Sequence, residues 1–118
     1  MENKSKQYDL EERTYQFAKD TRGFVQKLQK TVANIEDGKQ LVRSSGSIAA
    51  NYIEANEALS KKDFAMRIKI SRKEAKETGL WLRLVDIQDN DLDRTRQELL
   101  NESRELMNIF GAILRKSV

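Results

Sequence analysis

Two glutamates in the middle of this chain, Glu74 and Glu77, stand at the spacing of a carboxylate pair that could act in catalysis. Residues three apart share one face of a helix, so the pair, with Glu54, could perform acid–base chemistry or hold a metal ion. Carboxylates in di-iron helical bundles need histidine partners, and this sequence has no histidine. The sequence therefore favours a structural polar network, in which Arg43 neutralises carboxylates and Asn51 forms hydrogen bonds across helices, with no bound metal or cofactor.

A second group of reactive side chains is Ser44, Ser45 and Ser47, which surround Gly46. Serine beside glycine could supply a nucleophile or a phosphate-binding loop. A nucleophilic serine needs a base, commonly histidine, and a phosphate-binding loop needs a strand-to-helix turn with a lysine. Neither pattern is found in this sequence. Small side chains here instead favour close contact between two helix backbones, and we expect a protein without enzymatic activity.

The composition narrows the class of protein. The chain has 118 residues and contains no proline and no cysteine. This length fits a single domain over residues 1–118, and the lack of proline removes the commonest helix breaker. Without cysteine, neither a disulfide framework nor cysteine-ligated zinc can form. The polar start MENKSKQ has no signal-peptide core, and no apolar run approaches the ~20 residues of a membrane span, so we expect a soluble, cytoplasmic protein with no membrane partner.

Apolar residues at helical spacing predict two helices in the first half of the chain. The first begins at Asp9, where Glu12 three residues later completes a capping box. The second is capped by Asn34, has acidic residues in its first turn and runs to about Leu59. The predicted inward positions are Phe17, Thr21, Phe24 and Leu28 in the first helix, and Gly38, Leu41, Ser45, Ile48, Tyr52, Ala55 and Leu59 in the second.

The second half of the chain has the same kind of pattern. Ser60 caps the third helix together with Asp63, so the second and third helices form a tight hairpin. A polar loop from Asp86 leads to a fourth helix that begins at Asn90 or Asp91. Four such helices joined by short loops make an all-α, up-down antiparallel four-helix bundle. The predicted inward positions are Phe64, Ile68, Ser71, Ala75, Thr78, Leu82 and Val85, followed by Leu92, Leu99, Ser103, Leu106, Phe110 and Ile113.

The third helix carries two further surfaces beside its core positions. Residues 61–83 contain eight basic and three acidic side chains, a net charge of +5 where the whole chain has +3. On the opposite flank, Ile70, Trp81 and Leu84 are too apolar for ordinary solvent-exposed surface, so we expect an oligomer interface there. The basic positions are Lys62, Lys69, Arg72, Lys73, Lys76 and Arg83.

The basic positions have three interpretations. They could form a solvated face that only keeps the protein soluble, or they could contact the phosphates of RNA or DNA. Few aromatic residues are available to stack on bases, so nucleic-acid binding would be salt-sensitive and largely independent of sequence. An acidic protein partner is the third candidate.

Two long segments resemble a known family. RSSGSIAANYIEAN, residues 43–56, and KKDFAMRIKISRKEAKETGLWLRL, residues 61–84, are similar to the four-helix-bundle proteins of the 23S rRNA intervening-sequence family. YDLEERTYQFA, residues 8–18, looks like the first helix of that family. The matching positions are Arg43, Ser44, Ser47, Ile48, Asn51 and Glu54, together with Glu74, Ala75 and Glu77.

The resemblance carries expectations of its own. It implies a four-helix bundle that assembles as a homopentameric ring, and it brings no enzymatic activity. The family is also similar to accessory proteins of diversity-generating retroelements, which bind nucleic acid and a reverse transcriptase. The leading hypothesis is therefore a non-enzymatic homo-oligomeric scaffold that binds structured RNA or DNA non-specifically through a basic surface. The alternative is an interaction module that engages a protein partner, with nucleic-acid binding incidental.

Overall fold

Four helices make up the part of the chain that the computed structural model describes, which is the backbone of residues 2–117 and the side chains of residues 9–117. The helices are α1 (Glu2–Gln26), α2 (Val32–Asn56), α3 (Lys61–Leu84) and α4 (Asn90–Lys116). Each helix packs along its length against two others, α1 and α3 both against α2 and α4. The diagonal helices α2 and α4 meet through large side chains at the centre of the bundle, where the rings of Tyr52 and Phe110 lie 5.9 Å apart. The prediction of an all-α, up-down antiparallel four-helix bundle is confirmed, and the bundle measures 45 × 24 × 19 Å.

Two predicted helix starts are wrong. The first helix begins at Glu2, so Asp9 lies inside α1 and does not cap it. The cap of α2 is Thr31, whose side chain accepts a hydrogen bond from the backbone N of Asn34 at 3.1 Å. Asn34 therefore lies within the first turn of α2, and that turn contains no acidic residue.

Asn34 has a tertiary role instead of a capping role. Its side chain is buried between the two loops at one end of the bundle. Nδ2 donates to the carbonyl oxygens of Gln29 and Asp86, both at 3.0 Å, and Oδ1 accepts from the backbone N of Asp86 at 2.9 Å. These three hydrogen bonds join the α1–α2 connection to the α3–α4 loop, and such buried polar groups need partners of this kind.

The other helix ends agree more closely with prediction. The Oγ of Ser60 accepts from the backbone N of Asp63 at 3.0 Å, which confirms the cap of α3. Helix α4 begins at Asn90 as predicted, with Asp89 as its cap. Helix α2 ends three residues before the predicted Leu59, whose side chain is 100% exposed in the α2–α3 turn. The helical register no longer applies after Asn56, so the predicted inward position of Leu59 is wrong.

The core follows the predicted faces of all four helices. Every other predicted inward position is buried except Phe64, Leu92 and Ile113, which are partly buried and pack against the core. Hydroxyl groups fill the closest contact, between α2 and α3. Thr78 donates to the Oγ of Ser44 at 2.7 Å, and Ser71 donates to the Ile48 carbonyl at 3.0 Å.

Candidate nucleic-acid interface

The predicted basic side chains of α3 are all exposed. Within residues 9–117, none of them lies within 4.0 Å of a carboxylate, so none has an internal ion-pair partner. Cations without an internal partner remain available to an external anion. These residues are Lys62, Lys69, Arg72, Lys73, Lys76 and Arg83.

Helix α4 contributes cations to the same side of the bundle. Arg104 lines a groove of about 440 Å³ between α3 and α4, together with Lys76 and Arg83. Arg115 lies further along α4, beside Gly111. The floor of the groove is formed by small or apolar side chains, which include Ala75, Gly79, Leu80, Leu100 and Met107.

Sequence reasoning missed Arg104 and Arg115 because it treated each helix separately. The α4 part of the basic face consists of two widely separated arginines, which form no continuous period. The signal available in the sequence was the position of both arginines on one flank of α4, about 140° and 160° from the buried Leu99 at ~100° per residue. That flank could be assigned to the α3 side only once Leu100 and Met107 were known to line the shared groove.

On the opposite side of α4, two glutamates bind an arginine of α1. The Nε of Arg13 donates to Oε2 of Glu102 at 2.7 Å, and Nη2 of Arg13 donates to Oε1 at 2.8 Å. Glu105 accepts from the same guanidinium at 3.2 Å. The hydrogen bond to Glu102, and then the charge of that carboxylate, raise the pKa of Arg13 despite the opposing effect of burial. Arg13 therefore joins α1 to α4 and is engaged within the protein.

The residues of the predicted polar network form two separate sets of contacts, and Glu54 takes part in neither. Nη1 of Arg43 lies 3.0 Å from Oε2 of Glu74, and Nη2 of Arg43 lies 3.7 Å from Oε1 of Glu77. Glu74 is only 4% exposed, so its carboxylate is buried but neutralised. The hydrogen bond to Glu74 and the charge of its carboxylate raise the pKa of Arg43. This arrangement joins α2 to α3.

Asn51 belongs to a separate contact between the same helices. Its Oδ1 accepts from Nη1 of Arg67 at 3.1 Å, and its Nδ2 donates to the carbonyl of Ser47 at 2.9 Å. Glu54 is exposed and forms no ion pair within the described side chains. Residues 9–117 contain no group of three or more acidic, histidine or cysteine side chains placed to hold a metal ion.

The predicted oligomer interface needs one correction. Trp81, which helical spacing placed on the outer apolar flank of α3, is partly buried and packs against the core. An indole is long enough to reach the core from the flank of a helix, and helical spacing alone does not reveal this. Leu84 is 52% exposed as expected, and Ile70 is partly exposed. Two further apolar side chains of α3, Met66 and Leu80, are also exposed and were not predicted.

The fold and the site together define an all-α helical bundle whose α3 carries a row of exposed cations without carboxylate partners among residues 9–117. Residues 6–112 match the model of the 23S rRNA-intervening sequence protein family, so the chain belongs to this family, as its sequence resemblance indicated. No curated protein matches the chain. No helix in the described part of the chain combines the length and hydropathy needed to cross a membrane.

A solved structure supports the same assignment. The chain is similar to the crystal structure of a protein of unknown function from the S23 ribosomal protein family of Bacteroides thetaiotaomicron VPI-5482. The two share 27% sequence identity with a TM-score of 0.78, and the alignment covers 93% of this chain and 98% of the other. The similarity extends over nearly the whole bundle.

Proposed function

We propose that this protein is a non-enzymatic, homo-oligomeric scaffold that binds structured RNA or DNA through the basic face of α3 and α4. The observation that carries the proposal is the row of exposed α3 cations without carboxylate partners in residues 9–117. Such side chains neutralise phosphates and release the counterions condensed on a nucleic acid. Contacts to phosphates position a protein on a helix without reading its sequence, so the binding is non-specific.

Assembly is the second part of the proposal. Met66, Ile70, Leu80 and Leu84 give the outer side of α3 an apolar surface beside the basic row. Such a surface supports association with another copy. The stoichiometry of five comes from the family resemblance. In an assembly each copy presents its own basic face, and linked contacts raise the overall affinity.

The test is binding of a structured RNA duplex at two salt concentrations, combined with light scattering. We expect an assembly well above the 13.7 kDa of one chain, and an affinity that falls steeply as salt rises. Reversing the charges of Lys69 and Lys76 to glutamate weakens binding by on the order of 10²-fold and leaves the assembly intact. The same reversal at Lys19 of α1 and Lys27, the residue that follows α1, is the matched control. Full binding by the intact Lys69/Lys76 variant would refute the role of this face, and a clean monomer would refute the assembly.

A protein partner is a second candidate because the α3–α4 groove has an apolar floor. Leu80, Leu100 and Met107 offer a surface that phosphates do not need but that an acidic, partly apolar segment of another protein would fill. The salt dependence separates the two functions. Weak binding to RNA duplexes of every sequence, together with salt-resistant binding to a protein, would favour the protein partner.

A further inference from the structure

Gly111 of α4 lies beneath two arginine side chains. A Cβ atom added at this glycine would lie 3.5 Å from Nη1 of Arg115 and 3.8 Å from both Cζ and Nε of Arg72. Arg72 comes from α3, and Arg115 is one turn beyond the glycine on α4. Both guanidinium groups therefore converge on one point above the α4 backbone.

This convergence brings two like charges together without an internal anion. Neither Arg72 nor Arg115 takes part in the ion pairs or side-chain hydrogen bonds formed among residues 9–117. Two positive charges at such a distance repel each other, whereas an anion placed between them attracts both. Paired guanidinium groups, with their planar arrays of N–H donors, match the oxygen atoms of a phosphate.

We propose that Arg72 and Arg115 form a phosphate-binding site above Gly111. Gly111 places no side chain between the two guanidinium groups, and even an added Cβ would meet them only at ordinary contact distances. The ligand is either a phosphodiester of a nucleic acid or a free phosphate group. The first of these deepens the proposed function and rests on it, because the nucleic acid would enter through the α3–α4 face.

The position of the site agrees with the shape of the basic face. Lys76 follows Arg72 by one turn of α3, and Arg104 precedes Gly111 by about 10 Å along α4 at 1.5 Å per residue. Both of these side chains line the α3–α4 groove. The Arg72–Arg115 site therefore lies at one end of a path of cations between the two helices.

The first test replaces both arginines by glutamine. The double variant R72Q/R115Q is compared with K19Q/K27Q, which removes the same charge from exposed positions on α1 and on the connection that follows it. The probes are an RNA duplex, measured by fluorescence anisotropy, and inorganic pyrophosphate, measured by ³¹P NMR titration. We expect R72Q/R115Q to bind both probes at least tenfold more weakly than K19Q/K27Q. Equal affinities of the two variants for both probes would overturn the site.

A second test fills the site from inside the protein. Gly111→Glu places a carboxylate four residues before Arg115 on the same helix face, where it competes with phosphate for both guanidinium groups. Gly111→Ala is its control, because the added Cβ meets both arginines at ordinary contact distances. We expect Gly111→Ala to bind pyrophosphate like the wild type and Gly111→Glu to lose at least tenfold. Equal binding by the two, with helix content confirmed by circular dichroism, would contradict the proposal.

The two probes separate failure of the site from failure of the proposed function. If the wild type binds pyrophosphate through both arginines but binds no RNA, the phosphate site stands and the nucleic-acid function fails. If RNA binds equally well to R72Q/R115Q and to K19Q/K27Q while pyrophosphate does not bind, the nucleic-acid function stands and the site fails. Absence of binding to both probes refutes both.

Discussion

The two flanks of α4 use charge in opposite ways. Toward α1, where the helices make the sparsest contact of any neighbouring pair, Arg13 is held by Glu102 and Glu105. Toward α3, where packing is much denser, Arg104 and Arg115 have no carboxylate partner among the described side chains. The sparsely packed α1–α4 interface uses ion pairs between its helices, whereas the densely packed α3–α4 interface buries apolar side chains and leaves its described cations without carboxylate partners.

The largest expected effect on stability lies in the densely packed part of the bundle. Ser45 of α2 is fully buried, and replacing it with leucine forces extra volume into a close helix contact. We expect Ser45→Leu to lower the free energy of unfolding by about 1–3 kcal/mol, measured by urea denaturation. Ala50→Leu is the control, because Ala50 is exposed on the same helix and its substitution should change little. Equal effects of the two substitutions would show that packing density does not distinguish these positions.

Two glycines extend the comparison, because replacement by alanine is expected to stabilise one of these positions more than the other. Gly23 lies in the groove between α1 and α4, and a Cβ there meets nothing within 4 Å. Gly23→Ala should raise the unfolding free energy by up to ~1 kcal/mol, because alanine favours the helix. At Gly38 the added Cβ would lie 3.0 Å from Cγ1 of Val25. Because this contact is too close, Gly38→Ala should raise the unfolding free energy little or not at all. Thermal denaturation of both variants measures the difference, and a larger gain at Gly38 would contradict the observed packing.

The smallest expected effect on stability is at the ion pair of the sparsely packed α1–α4 interface. The side chain of Arg13 is 40% exposed, so solvent screens its contact with Glu102. We expect Arg13→Gln to cost about 0–1 kcal/mol and to cost less at high salt. Urea denaturation at two salt concentrations measures this. A decrease of several kcal/mol in the free energy of unfolding, unchanged by salt, would show that the α1–α4 interface depends on its charges far more than their exposure indicates.

The sequence predicted the fold well wherever apolar spacing was continuous. The inward positions of α3 and the Ser60 cap are confirmed. The start of α1 could not be predicted because the polar stretch before Asp9 shows no apolar period. Asn34 has the chemistry of a cap, but its partner Asp86 is 52 residues away and no local rule identifies it.

The candidate site was less predictable than the fold. Single-helix periodicity identified the α3 cations, because four of them, Lys62, Lys69, Lys76 and Arg83, follow one another at intervals of seven residues. It did not identify Arg104 and Arg115, since the face they complete is built from two helices. It also placed Trp81 outside the core, because a helical wheel gives the direction of a side chain but not its reach.

The most direct test of the central claim compares the salt dependence of RNA binding after equal charge removal from the two sides of the bundle. K69Q/K76Q removes two cations from the basic face, and K19Q/K27Q removes two from α1 and the connection that follows it. In a plot of log affinity against log salt, we expect K69Q/K76Q to reduce the magnitude of the slope by at least about two units and K19Q/K27Q to leave it unchanged. Equal slopes for both variants and the wild type would contradict the claim that the cations of α3 contact phosphates.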